Sequence, residues 1–504
     1  MDKANQLLAT LSIVVLTLIC LEGCSKKKSE IVWTKNLYVV GSQSSPRTTD
    51  LNGDGVLDII MGAGKNETQF SDHGIIALNG KTGELLWKQD APDQVYGCAT
   101  LYDITGDGIK DVFIGGRSPH FKAINGKTGE VMWKYQYELV KHDSILQYGR
   151  FNFNNSVLVP DQNNDGLQDL LTVNGGNSLA YPNSEENRFP GVLMLFDSKT
   201  GNIIAADTMP DGKESYMSPL CFAQPGTKEH LIIFGTGGET ISGNLYLAKL
   251  SDLMEKKLIN STVIATETGH GFIAPASLAD ISADGNYDIV AISHKSTVFA
   301  IDGVNHSLLW KHTLQNTESS NSMAVGYFTN DDVPDFFTFV SKGEWPNNTG
   351  SLQVMINGRD GHIEYVDSIG CTGFSSPVVY DLNNDGQDEA IISINDFDCA
   401  RGFTDQTIFE IENKLIAIDF SKNKTQTIDQ MKGFKNIFST PWIGDLDNDG
   451  YLDIVHCQYY SRSGLLVFLG MNIKRISTPI KIKEAPIWGA YMGFNGDGIF
   501  AKEK

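Results

Sequence analysis

"DLNGDGVLD", residues 50–58, sets Asp50, Asn52, Asp54 and Asp58 at positions 1, 3, 5 and 9 of a short loop, with Gly55 at position 6 and the apolar run "IIMGAG" starting right behind it. The pattern returns as "DITGDGIKD" (103–111), "DQNNDGLQD" (161–169), "DISADGNYD" (280–288), "DLNNDGQDE" (381–389) and "DLDNDGYLD" (445–453). Worn copies stand at 222–230, at 327–335 and at 493–501, where only Asn495, Asp497 and Gly498 survive. Successive copies lie roughly 47 to 64 residues apart. A motif that recurs at this period marks a chain built from repeated supersecondary units.

Hard oxygen ligands at alternate positions of a tight loop suit Ca²⁺, which takes six to eight of them. The side-chain oxygens on offer are those of Asp50, Asn52, Asp54 and Asp58; Asp103, Thr105, Asp107 and Asp111; Asp161, Asn163, Asp165 and Asp169; Asp280, Ser282, Asp284 and Asp288; Asp381, Asn383, Asp385 and Glu389; and Asp445, Asp447, Asp449 and Asp453. Gly at position 6 allows the positive φ that reverses the chain. An EF-hand would carry Glu at position 12, where these copies hold Met61, Ile114, Thr172, Ala291, Ile392 and His456. The expectation is a nine-residue calcium loop feeding a strand, with about six structural ions in the whole chain.

Between the loops lies a second repeat, seen in "IIALNGKTGELLWK" (75–88), "KAINGKTGEVMWK" (122–134) and "VFAIDGVNHSLLWK" (298–311). Asn-Gly between β-rich runs is a strong hairpin signal. Trp33, Trp87, Trp133 and Trp310 share one place in the second strand, which reads as packing between units. Each unit is then strand a, loop, strand b, strand c, turn, strand d, and four antiparallel strands repeated radially make an all-β propeller. Counting weaker hairpins near 244–258 and 464–480 gives eight blades, with seven the alternative. "IVWTK" (31–35) is a lone strand d and "PIWGAYMGF" (486–494) a lone strand a, placed to close the ring.

The loops resemble the FG-GAP or VCBS repeats of integrin α-type propellers, and the hairpins look like the blades of quinoprotein (PQQ-type) propellers. The resemblance spans nearly all of residues 31–504 and concerns fold more than activity. Quinoproteins of this kind pair a quinone with a vicinal disulfide; this sequence has no adjacent cysteines, so no PQQ is expected.

Residues 1–23 read as a signal peptide, with Lys3, an apolar stretch from Leu7 to Cys20 and then "LEGC" ending at Cys24. That ending resembles a bacterial lipobox, which implies lipidation of Cys24, a polar tether over 24–30 and a propeller over 31–504 in the cell envelope, on the outer membrane. An uncleaved membrane anchor is the alternative. A formal charge of −21 argues against nucleic acid. Cys98, Cys221, Cys371, Cys399 and Cys457 form no CxxC. Cys371 and Cys399 are the nearest pair, and buried free thiols are the expected state.

No nucleophile elbow, phosphate loop or HExxH helix is present. In such a blade the a–b and c–d turns share one face, and the d–a and b–c connections share the other. The long insertions, 140–153, 174–190 and 395–413, fall on that second face, where loops on a rigid scaffold commonly bind. Candidate ligand residues there are His142, Tyr148, Arg150, Phe151, Tyr181, Arg188, Asp398, Arg401 and Phe403. The expected function is binding of a protein or glycan without chemistry. A polysaccharide lyase, a quinone-dependent oxidoreductase and an outer-membrane assembly scaffold are the alternatives.

Overall fold

Runs such as "DIIMG" and "TVFAI" are short, β-branched and bounded by Gly or Asn turns, so they extend rather than coil. In the computed structural model, which describes residues 29–345, 348–401, 410–461 and 467–501, the strands form eight separate antiparallel sheets. Blade 1 runs Arg47–Thr49, Asp58–Gly62, Ser71–Leu78 and Leu85–Ala91 in spatial as well as chain order. Blades 2 to 7 follow the same plan, their inner strands starting at Thr100, Val157, Leu220, Ser277, Ala324 and Val378. The eighth takes Trp442–Gly444, Tyr451–Tyr460 and Gly470–Lys481 from the C-terminal part and Glu30–Tyr38 from the N-terminal part. Eight blades is therefore the number, and the N-terminal strand d closes the ring as expected.

Burial follows from this plan. The middle strands, such as Asp58–Gly62 and Thr297–Ile301, are buried along their whole length because blades cover both faces. Outer strands such as Leu308–Thr313 alternate toward water.

The strand-d tryptophans join blade to blade. Trp33, Trp87, Trp133 and Trp310 donate from Nε1 to the carbonyls of Gly80, Gly126, Ser198 and Gly358, each in the c–d turn of the next blade. Their rings lie against Gly83, Gly129, Gly201 and Gly361, where an added Cβ would stand 2.5–2.7 Å from a ring or side-chain carbon. Those glycines also hold φ between 72° and 76°. The Thr-Gly turn is thus glycine for two independent reasons.

Small hydroxyl residues tie the blades together near the axis. The Ser322 N–H donates to Ser376 Oγ (2.9 Å), the Ser376 N–H to Thr440 Oγ1 (3.0 Å) and the Thr440 N–H to Ser45 Oγ (2.9 Å), linking blades 6, 7, 8 and 1 in turn. Ser45, Ser376 and Thr440 each stand directly before a proline, Pro46, Pro377 and Pro441, at the entry to the inner strand.

Three expectations are corrected. Residues 486–494 are not a strand: this segment crosses the loop end of the axis, with Trp488 and Gly489 carbonyls accepting from Val379 and Ile443 of the inner strands (2.9 and 2.8 Å). Leu278 donates to Gly498 (2.8 Å), and the buried Arg47 guanidinium donates to Tyr491 O (2.6 Å) and Gly493 O (3.2 Å). The lone strand was not needed because blade 8 already has Trp442–Gly444 as its inner strand. Nor does 470–480 hold a hairpin of its own: Gly470–Lys481 is one long strand whose outer partner is Glu30–Tyr38, and 464–466 lie outside the described residues. Finally, Cys371 and Cys399 form a disulfide with a Cα–Cα distance of 5.3 Å, while Cys98, Cys221 and Cys457 are free thiols. The 395–401 insertion folds back over the d–a connection of its own blade, where the Cys371 N–H donates to Asn395 O (2.8 Å), and this brings the two sulfurs together.

Candidate functional site

The two ends of the ring offer different chemistry. At the loop end, the position-1 carboxylate closes each loop by accepting backbone N–H groups. Asp50 accepts from Gly53 (2.7 Å) and Gly55 (2.9 Å), Asp103 from Gly106 (2.7 Å) and Gly108 (2.9 Å), and Asp161 from Asn164 (2.6 Å) and Gly166 (2.8 Å). Position 6 is left-handed in all six full copies, from φ 80° at Gly450 to 94° at Gly386.

Position 9 does something else. Asp58 accepts from the Leu51 N–H on one oxygen and from the Gly80 N–H on the other, both at 2.9 Å, and so joins the loop to the c–d turn of its own blade. Asp111, Asp288 and the worn copy's Asp335 repeat this pair of bonds. These carboxylates are buried. Burial, with neighbouring carboxylates adding to it, pushes Asp58 and Asp169 up to about 6 and Glu389 up to about 8.

The donor set, carboxylate and amide oxygens turned to one side of a loop, fits a hard divalent cation. Asp385, Glu389 and Asp419 bring carboxylate oxygens within 4.8 Å of one another, as do Asp445, Asp447 and Asp453. In that last loop a guanidinium already stands among the acids: Arg475 Nη2 lies 2.5 Å from Asp447 and 2.9 Å from Asp453. In the 381–389 loop, Lys422 pairs with Asp385 (2.7 Å).

At the opposite end, the connections surround a cavity of about 580 Å³ on the axis. Gln43, Tyr96, Asn154, Tyr216, Ile273, Ser320, Phe374 and Phe438 line it, one from each blade, and Tyr491 of the C-terminal segment faces it from below. One side is aromatic, with Trp345 and Phe374 at 6.4 Å and Phe374 and Phe438 at 5.8 Å between ring centroids. The other side carries amides and Arg117, which pairs with Glu67 (2.6 Å) and lies over the Tyr96 ring at 5.5 Å. Arg188 pairs with the buried Glu214 and donates to the carbonyls of Ser184 (2.7 Å) and Tyr181 (3.0 Å), which pins the 177–188 insertion over the rim.

The sequence-derived candidates do not gather in one place. Arg188 lines the cavity, and Tyr181 sits beside it, 78 % exposed. Arg150 stacks over Phe189 (4.3 Å) and Phe151 (5.1 Å), Tyr148 faces Phe189 at 6.5 Å, and His142 is exposed nearby. Arg401 pairs with Glu410 (2.8 Å), and its N–H donates to the Asp398 carbonyl (3.1 Å) beside the disulfide. Phe403 and Cys24 lie outside the described residues. Missed by the sequence reading were Gln43, Tyr96, Arg117, Asn154, Tyr216, Trp345 and Phe374. A signal was there: Gln43, Tyr96, Tyr216, Ile273, Ser320, Phe374 and Phe438 each stand four residues ahead of their inner strand.

One arrangement imitates a hydrolase triad. His456 Nδ1 lies 3.6 Å from Asp429 and His456 Nε2 3.2 Å from Ser393 Oγ. His456 and Ser393 have no exposed surface, and Lys474 claims Asp429 at 2.7 Å. The row binds blade 7 to blade 8 rather than meeting a substrate.

Fold and site together define an eight-bladed β-propeller with a ligand-sized cavity at one end of its axis. The chain belongs to the FAM234A/B β-propeller family, whose model matches residues 71–335. No curated protein matches the sequence. Among solved structures, it is similar to the quinohemoprotein alcohol dehydrogenase ADHIIG from Pseudomonas putida HK5, at 10% identity and TM-score 0.56 over 92% of this chain and 78% of that one. A europium-containing methanol dehydrogenase is similar at 9% identity and TM-score 0.56, over 89% of this chain and 93% of that one. BamB from Moraxella catarrhalis matches at 10% identity and TM-score 0.49, over 89% and 99%. Such identities speak to the fold alone.

Proposed function

We propose that this protein is a calcium-stabilised propeller, anchored in the cell envelope through Cys24, that binds a partner molecule through its insertion face and carries out no reaction. The observation that supports this most is the asymmetry of the axis: the C-terminal segment spans the loop end, while every blade contributes to an open cavity at the insertion end. The two arginines around that cavity are already committed, Arg117 to Glu67 and Arg188 to Glu214, and Glu239 lies exposed at its edge. Among the described residues, no histidine lines it. A catalytic acid or base is tuned by burial or by a charged partner, and the exposed Glu239 carboxylate has no such burial, so binding is the better reading.

Calcium in this reading is held by the side-chain oxygens at positions 1, 3, 5 and 9 of the six loops, and supplies positive charge where carboxylates crowd. A glycan array and an affinity capture, run on the purified protein and on a variant with 177–188 shortened, test the binding face. Ligand lost in that variant, with melting behaviour retained, supports the proposal. Undiminished binding shows that the wrong end was chosen. Replacing Cys24 with Ser should abolish labelling by a fatty-acid probe, and equal labelling would rule out that anchor.

A further inference from the structure

We propose that the axial cavity binds a neutral oligosaccharide, an inference that rests on the insertion face being the binding end. Gln43 Nε2, Asn154 Nδ2 and Arg117 Nε are buried without a hydrogen-bond partner, and all three residues line this cavity. Gln43 is 7% and Asn154 5% exposed, so each is more than nine-tenths buried. A buried donor left unpaired is costly, and most buried polar atoms in folded proteins find a partner. All three are N–H donors on residues of the cavity wall, and a side-chain turn toward the cavity would pair each with a ligand that presents acceptor oxygens.

The charge of the lining decides between an anion and an uncharged ligand. Among the described residues, Glu67, Arg117, Arg188 and Glu239 are its charged ones, two of each sign. Arg117 holds Glu67 at 2.6 Å and Arg188 holds Glu214, so neither guanidinium is free to pair with a carboxylate or phosphate. What remains for recognition is amide and guanidinium N–H on one side, and the Trp345, Phe374 and Phe438 rings on the other.

A pyranose matches such a two-sided site. Its ring hydroxyls and ether oxygen accept from the amides, and its C–H face packs on aromatic carbon, which offers large apolar area with a polar edge. A cavity of about 580 Å³ falls in the range of small-molecule sites, roughly 300–1,000 Å³. That leaves room for more than one sugar ring.

The test is calorimetric titration of the full-length protein with maltotriose, cellotriose and triacetylchitotriose, beside trigalacturonic acid as an anionic trimer of like size. At least one neutral trimer should bind, and the acid should not bind better. Gln43→Glu and Asn154→Asp keep shape while turning a donor group into an acceptor, and each should weaken binding about tenfold. Trp345→Ala, at the partly exposed rim and outside the core, should weaken it too. Melting curves of all three variants exclude unfolding as the cause. Preference for the acid, or unchanged affinity in all three folded variants, overturns the inference. So does the absence of any trimer binding while the intact protein still captures a partner that the shortened 177–188 variant loses; that outcome leaves the binding face standing and removes the saccharide from the cavity. Loss of both would take the face with it.

Discussion

At the loop end of this propeller the same bonds recur blade after blade. Position 1 caps the loop, position 9 ties it to the c–d turn, and a tryptophan reaches the next blade's turn carbonyl. At the insertion end, the residues four places ahead of each inner strand are Gln, Tyr, Ile, Ser and Phe by turns. Buried donors there go unpaired, and two loops are stapled by unrelated means, a disulfide and the Arg188–Glu214 pair. Interactions that repeat with the blades serve the ring, and a residue that breaks the repeat while facing a cavity is free to serve a ligand.

The largest expected effect attacks the repeated end. Trp87 is buried against Gly129 and donates to Gly126 O at 2.7 Å. Trp87→Ala should cost about 3–5 kcal/mol, the range for removing a large buried aromatic. Shortening 177–188 with Arg188 kept against Glu214 should leave the denaturation midpoint nearly unchanged. Denaturant titration of both variants measures the contrast, and equal losses would break it.

The same contrast explains what the sequence made legible. Loop spacing, in six full and three worn copies, carried strand order and the two faces, and with the hairpins it brought the blade count to eight, because a feature repeated in phase does not arise by chance. The role of "PIWGAYMGF" was not legible: its local pattern is strand-like, and only the presence of another inner strand in blade 8 sends it across the axis. The cavity was hidden for the opposite reason. Its residues come from eight separated connections of different chemistry, so no contiguous motif announces them. Long insertions drew attention to Arg150 and Arg401, although length reports spare chain and not proximity to the axis.

A middle-sized effect lies between the two ends, in the buried row joining blades 7 and 8. Burial acts to raise Asp429, but the Lys474 ammonium at 2.7 Å and the His456 ring at 3.6 Å outweigh it and hold the carboxyl at about 2, against an ordinary 3.8. A carboxyl lowered in the folded state stabilises the fold above its unfolded value, and that contribution is lost as pH falls through the folded value. The wild type should therefore lose about 2 kcal/mol more than Asp429→Asn does as pH falls from about 4 to below about 2. Parallel acid titrations followed by circular dichroism give the difference. Parallel curves for the two proteins would mean the row is not ionised as its geometry implies.

The smallest effect separates the two duties within a single loop. Asp54 is exposed, and its bond from the Val56 N–H (2.9 Å) lies inside the loop itself. Asp58, four residues on, is fully buried and satisfies the buried Leu51 and Gly80 N–H groups. In chelator, Asp54→Ala should cost less than about 1 kcal/mol, the worth of one solvent-exposed hydrogen bond. Asp58→Ala should cost several times as much, because it orphans two buried donors. In calcium, elemental analysis of Asp54→Ala should find one ion fewer than in the wild type, so the variant loses a metal it barely needs for its apo fold. Arg475 supplies the internal comparison: its guanidinium already neutralises Asp447 and Asp453, so removing a ligand from the 445–453 loop, as in Asp449→Ala, should change calcium content less than Asp54→Ala does. Equal metal loss in both, or a large apo cost for Asp54→Ala, would mean that the loops are held by their carboxylates alone and that the division between position 5 and position 9 is wrong.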